Sequence, residues 1–150
     1  MRRIVPHPVW IGHAGDGREY TRLYEAGIRS LVHLAVEEPA LQVPRDLIYL
    51  RVPLADATEN RGDSLTLAIR SVSQLLSARV PTLVFCAAGM SRSSCVVAAA
   101  LAVNSGEPPE DRLRFVISHG PCDISPGLWN EVTDLLRCWE HRVATHAGGL

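Results

Sequence analysis

The sequence predicts a single α/β domain with a central, mainly parallel sheet of four or five strands flanked by helices. Short apolar runs bounded by turn residues recur along the chain, and segments of helical periodicity alternate with them. The chain has 150 residues, 47% of them hydrophobic, which is enough for one core and too little for two ordinary domains.

The elements follow in order. Val9-Trp10-Ile11 reads as the opening strand. Asp16 to Ala26, closed by Gly27, reads as a short helix. Ser30 to Leu34 and Leu47 to Val52 are the next apolar strands. Leu65, Ala68, Ile69, Val72, Leu75 and Leu76 recur at helical spacing, with Asp63 or Ser64 as the N-cap and Pro81 just past the end. Thr82 to Phe85 is a strand, and Ser93 to Ser105 a helix stopped by Gly106. That helix is apolar nearly all round, so it belongs inside the domain. Glu110 to His119, closed by Gly120, forms a further helix. The last one carries Leu128, Trp129, Val132, Leu135, Leu136 and Trp139 on one face, with Ser125 as N-cap and Pro126 at its first position. Residues 144–150 are small and polar enough to fray, and no internal repeat is visible.

The composition excludes several classes of function. A net charge of -1 gives no basic surface for nucleic acid or an anionic membrane. The longest apolar run, Cys95 to Val103, is too short to span a bilayer, and Met1 to Pro8 lacks the apolar stretch of a secretory signal. A soluble, cytoplasmic protein is expected. The four cysteines, at 86, 95, 122 and 138, form no C-x-x-C pair, so they are expected to be free thiols.

The chemistry concentrates in Phe85-Cys86-Ala87-Ala88-Gly89-Met90-Ser91-Arg92-Ser93, between a strand and a buried helix. Such a loop aims successive backbone N–H groups at one point, and the positive end of the helix dipole lies behind them. Together these make an anion site. Gly89 lets the loop curl tightly. At the mouth of the site, Cys86 feels the same field, which favours thiolate, the nucleophilic form. Arg92, six positions on, can return across the loop and offer two parallel N–H donors to phosphate oxygens. Ser93 can donate a hydrogen bond to the Cys86 sulfur.

This stretch resembles the C-x5-R signature loop of the cysteine-dependent protein-tyrosine and dual-specificity phosphatases, in the Gly-x-Ser-Arg-Ser form of the latter. The likeness extends over most of the chain, so residues 1–150 resemble one dual-specificity-phosphatase domain. Trp10-Ile11-Gly12, followed by Leu23-Tyr24-Glu25-Ala26-Gly27-Ile28, is similar to the family's opening strand, helix and entry to the second strand. Val52-Pro53-Leu54-Ala55-Asp56 is similar to the segment carrying the general acid. The helix opened by Ser125-Pro126-Gly127-Leu128-Trp129 matches less tightly.

The resemblance implies a phosphotyrosine-phosphatase-like fold and hydrolysis of a phosphomonoester in two steps, with no metal or organic cofactor. Cys86 would be the nucleophile. Arg92 and the backbone of Ala87, Ala88, Gly89, Met90 and Ser91 would hold the phosphate. Asp56 would be the general acid, with Glu59, Asp63 and Asp123 as competitors, and Ser93 would assist the sulfur as it leaves. The chain departs from the family at Phe85, where a histidine usually braces the loop. Phenylalanine makes no such hydrogen bond.

Two other readings use the same residues: a phosphate-binding module without turnover, and sulfur transfer through a Cys86 persulfide as in rhodanese-like domains. The acid upstream and the Gly89–Ser93 pattern favour the phosphatase. Uncharged side chains at Ala87, Ala88, Met90 and Ser91 favour a singly phosphorylated protein or small molecule as substrate. The spacing of the six histidines matches no compact zinc motif. His33, Cys95, Trp10, Trp129 and Trp139 fit core positions, with a resolving-thiol role for Cys95 as the alternative.

Overall fold

A computed structural model describes residues 1–57 and 59–148. Its sheet has five strands in the order β1-β2-β5-β3-β4. These are β1 (Arg2–Arg3), β2 (Val9–Gly12), β3 (Ser30–Ala35), β4 (Ile48–Leu54) and β5 (Thr82–Phe85). The last four run parallel, and β1 pairs antiparallel with β2 at the edge. β1 was not anticipated from the sequence, because two arginines carry no apolar alternation.

Five helices surround the sheet: α1 (Tyr20–Glu25), α2 (Gly62–Ser77), α3 (Arg92–Ser105), α4 (Pro109–Ile117) and α5 (Pro126–Ala147). Side chains alternate across each strand, and this divides the core in two. Val32, Leu34 and Val84 meet Leu65, Ile69, Val72, Val96, Val97, Leu128 and Val132 from α2, α3 and α5. On the other face Leu31, Leu83 and Phe85 meet Leu23 of α1 together with Ile28 and Leu47. α3 is buried from Arg92 to Ala102, as its all-round apolar character demands, and it ends at Gly106 in the left-handed region (φ 72°). Its run Ala98-Ala99-Ala100 keeps it slim between neighbours. A larger side chain there would overpack the centre, at about 1–3 kcal/mol.

Four expectations need correction. The helix expected over residues 16–26 is broken. A 3-10 turn at Asp16–Arg18 precedes α1, and Glu19 between them is non-helical (φ -90°, ψ 67°). Asp16 anchors the turn, since its buried carboxylate accepts the His13 N–H (3.0 Å) and pairs with Arg22 (3.5 Å). α2 opens at Gly62, so Arg61 holds the N-cap position. Asp63 lies in the first turn, where it accepts the Ser64 N–H (2.8 Å), pairs with Arg61 (2.7 Å) and complements the helix dipole. α5 continues through Ala147, past the expected fraying at 144, while residues 149 and 150 lie outside the described residues. Trp10, Trp129 and Trp139 flank the core, half-buried, with Arg3 over Trp10 and Arg70 over Trp139. Ser125 caps α5 as expected, accepting the Leu128 N–H.

Among the described residues, no helix is long and apolar enough to cross a membrane. The four cysteines are free.

Candidate active site

The parallel strands all end at the same edge of the sheet, and β5 sits between β2 and β3. Its C-terminal end therefore opens into the crevice where open α/β sheets bind ligands. The loop of Cys86 to Ser91 fills this place and feeds directly into α3.

Backbone packing shapes the loop. Gly89 has φ 70°, and a Cβ there would lie 2.6 Å from the Gly12 carbonyl oxygen, so both dihedral and space demand glycine. Neighbours take the outward-facing groups. Ala14 N–H donates to the Ala87 carbonyl (3.1 Å), Asp123 N–H to that of Met90 (3.1 Å), and Ser125 N–H to the Ser91 hydroxyl (3.0 Å). The Arg2 guanidinium donates to the Gly89 carbonyl (3.3 Å) and the Ser94 hydroxyl (3.3 Å). Among the described residues, none of the hydrogen bonds is donated by the N–H groups of Ala87 to Ser91. Those donors are left for an anion.

Cys86 is buried, 2% exposed, and its sulfur lies 3.2 Å from the Ser93 hydroxyl. Arg92, only 3% exposed, reaches back under the loop. Its Nη1 donates to the Leu54 carbonyl (2.9 Å) and to Glu37 (2.6 Å), and its Nη2 donates to the other oxygen of Glu37. Nε is buried and unpartnered among the described residues. Burial opposes the arginine's charge, but the Glu37 hydrogen bonds and the nearby Cys86 and Asp56 hold its pKa above the ordinary value. The Arg92 hydrogen bond in turn draws the Glu37 carboxyl down to about 2.

Asp56 is exposed on the segment leaving β4, and its charge is felt at Arg92. Asp63 is exposed and paired with Arg61. Glu59 is exposed and left-handed (φ 71°). Asp123 meets the loop through its backbone. Asn60 ties down the segment around Asp56: Oδ1 accepts the Ala55 N–H (2.8 Å), and Nδ2 donates to the carbonyls of Ala55 (3.0 Å) and Ala57 (3.1 Å).

Phe85 fills a tight apolar slot. Its ring stacks on His33 of β3 at 4.6 Å, and a Cβ on Gly17 would come within 2.7 Å of it. His33 is buried, hydrogen-bonded through Nδ1 to the Tyr49 hydroxyl (2.8 Å), with Nε2 unpartnered among the described residues. Burial first, then Arg51, lowers its pKa to about 4. Cys95 is inside α3, and burial pushes its thiol up, which fits packing rather than exchange chemistry. No three His, Cys, Asp or Glu side chains converge on a metal-sized space among the described residues.

The structure thus brings Cys86, Arg92 and Ser93 together around the loop, while Asp56 is exposed on the segment leaving β4, with its charge felt at Arg92. Sequence reasoning missed Glu37, Asn60 and Arg2. No local signal marked Glu37: its place just past β3 overlooks the crevice only because β3 lies next to β5 in the sheet.

A family model described as polymorphic toxin system, DSP-PTPase phosphatase matches residues 10–107. None of the curated protein sequences compared with the chain matches significantly. Among solved structures, human DUSP28 is 24% identical, with a TM-score of 0.82 over 95% of this chain and 99% of that one. A mouse putative dual specificity phosphatase, complexed with zinc tungstate, is also 24% identical (TM-score 0.82, 95% of this chain and 89% of that one). Human tyrosine phosphatase-like serine/threonine/tyrosine-interacting protein is 20% identical (TM-score 0.77, 93% and 97%). The fold is that of the dual-specificity phosphatases.

Proposed function

The chain belongs to the polymorphic toxin system DSP-PTPase phosphatase family, and on that premise we propose that it hydrolyses phosphomonoesters through a phosphocysteine on Cys86. The observation that carries this reading is the buried Arg92 Nε, unpartnered among the described residues, in a site whose loop opens at Cys86 and has uncommitted N–H groups. Leu54 and Glu37 use both Nη1 hydrogens and one on Nη2. The remaining Nη2 hydrogen and Nε–H form the parallel pair that fits two oxygens of a tetrahedral oxyanion. Tungstate, bound by the mouse relative, is an oxyanion of this class.

In the first step the Cys86 thiolate attacks phosphorus. The bond to the leaving oxygen breaks, and Asp56 gives that oxygen a proton. Arg92 and the loop N–H groups hold the equatorial oxygens as charge builds on them. In the second step Asp56, now ionised, takes a proton from water as the water attacks phosphorus. The sulfur–phosphorus bond breaks, and the Ser93 hydroxyl stabilises the returning thiolate. Glu37 holds the guanidinium in plane for both steps.

The preferred substrate is singly phosphorylated, on protein or a small molecule, because Ala87, Ala88, Met90 and Ser91 offer no charge to a second phosphate. Free thiols throughout suit a reducing cytoplasm. Phe85 favours one competing reading, a module that binds phosphate without turnover.

The test is Cys86→Ser on an aryl phosphate. Wild type is expected to turn over, whereas Cys86→Ser loses hydrolysis and still binds vanadate or phosphate, because the cradle is backbone plus Arg92. Near-normal turnover in Cys86→Ser sinks the mechanism. Binding without turnover in wild type establishes the non-catalytic reading.

A further inference from the structure

We propose that Asn60 is the positioning residue for the Asp56 carboxyl group, an inference that rests on the acid role assigned to Asp56 above. A general acid must sit within hydrogen-bond reach of the oxygen it protonates. Asp56 lies on an exposed segment past the end of β4, where nothing in its own backbone ladder fixes its direction. Asn60 supplies what the ladder does not. Its three side-chain hydrogen bonds, of 2.8, 3.0 and 3.1 Å, fall on Ala55 and Ala57, the residues on either side of Asp56. They close a ring around the acid, and among the described residues no hydrogen bond engages its carboxyl.

The ring is itself fastened. Asn60 N–H donates to Oε2 of Glu131 on α5 (3.3 Å). The segment entering α5 also holds the phosphate loop, through Ser125 to Ser91 and Asp123 to Met90. The acid segment and the phosphate loop therefore hang from one support. Glu59, just before Asn60, is in the left-handed conformation (φ 71°), one that a side chain of this type rarely adopts.

Only an asparagine suits this place. The ring needs one acceptor and two donors on a short stem. Aspartate keeps the acceptor and loses both donors, and glutamine places them one carbon too far out. Among the described residues the Asn60 side chain bonds only Ala55 and Ala57, so its effect on the reaction is expected to pass through Asp56.

The experiment compares an alkyl phosphate such as a phosphoserine peptide, whose leaving group needs a proton, with p-nitrophenyl phosphate, whose leaving group departs unaided. Wild type, Asp56→Asn, Asn60→Ala, Asn60→Asp and Glu131→Ala are measured on both. Asn60→Ala is expected to lower kcat on the alkyl phosphate about tenfold or more with KM within about twofold, and kcat on the aryl phosphate far less. That loss lies inside the roughly hundredfold or greater contribution of a positioned acid. Asn60→Asp does not rescue it, and Glu131→Ala moves in the same direction by less. Should Asn60→Ala fail to fold, judged by circular dichroism and vanadate binding, Glu131→Ala carries the comparison.

Equal losses on both substrates, or none, with Asp56→Asn still selective, overturn the role of Asn60 and leave the acid in place. An unselective Asp56→Asn removes the acid assignment, and the role of Asn60 goes with it.

Discussion

The Arg92 guanidinium has five N–H groups. Three go to Leu54 and Glu37, and in the mechanism proposed above the other two hold the phosphate. A lysine could keep the charge at this position, but its ammonium has three donors and no plane, so it cannot make one contact to the carbonyl and two each to carboxylate and phosphate. Arg92→Lys is therefore expected to lower kcat/KM at least about tenfold, the scale of one charge-assisted hydrogen bond missing from the transition state. Steady-state kinetics on an aryl phosphate measure this, and a value near wild type would remove Arg92 from the site. Cys86, Arg92 and Ser93 were legible in the sequence because one short strand–loop–helix stretch holds all three, and a loop between strand and helix has few shapes. Glu37 was not legible. It meets Arg92 only because β3 and β5 are neighbours in the sheet, and strand order is not written in local periodicity.

Strands β3 and β5 explain how the chain accommodates Phe85, at the position where its resemblance to the dual-specificity phosphatases implies a histidine. His33 and Phe85 are register partners, and their rings stack at 4.6 Å with an 18° tilt. The slot is closed from above by Gly17, whose missing side chain makes room for the Phe85 ring. Stacking and burial replace the usual hydrogen bond as the brace behind the loop. Restoring the family residue should thus harm the fold, since Phe85→His would bury a polar ring in an apolar slot beside another buried imidazole. The expected cost is about 1–3 kcal/mol, that of an unsatisfied buried polar group, read from urea unfolding at neutral pH. Stability equal to wild type would show that the loop backbone provides a partner after all. The strands and helices themselves were largely legible, because alternation and helical spacing report burial directly. What failed were places set by tertiary contacts: β1, the broken helix around Asp16, and the start of α2 at Gly62.

Taken as one folded body, the molecule should lose stability to acid in two separate stages, because two kinds of group hold depressed pKa values. His33 is buried and neutral, with a folded pKa of about 4 against 6.5, owing to burial and then to Arg51, with Glu38 opposing and Arg18 and Arg92 adding. Below about pH 6.5 the unfolded chain takes up a proton that the folded chain refuses, so stability falls as pH drops and levels off near pH 4. The slope approaches about 1.4 kcal/mol per unit, for a total near 3 kcal/mol. His7, half-buried and also lowered by burial, adds in the same direction. Glu37 belongs to the second stage. Held at about 2 by Arg92 against an ordinary 4.5, it supports the fold above roughly pH 4.5, and that support is lost toward pH 2. Its half-exposed carboxylate is screened by solvent, so the first stage should be the larger. Urea midpoints for wild type and His33→Asn between pH 7 and 4 separate the stages. His33→Asn is expected to start lower, having lost the stack on Phe85 and the bond to Tyr49, and then to run much flatter across the window. Two curves falling in parallel would mean that another group drives the acid transition and that the His33 slot admits water freely enough to hold a charge.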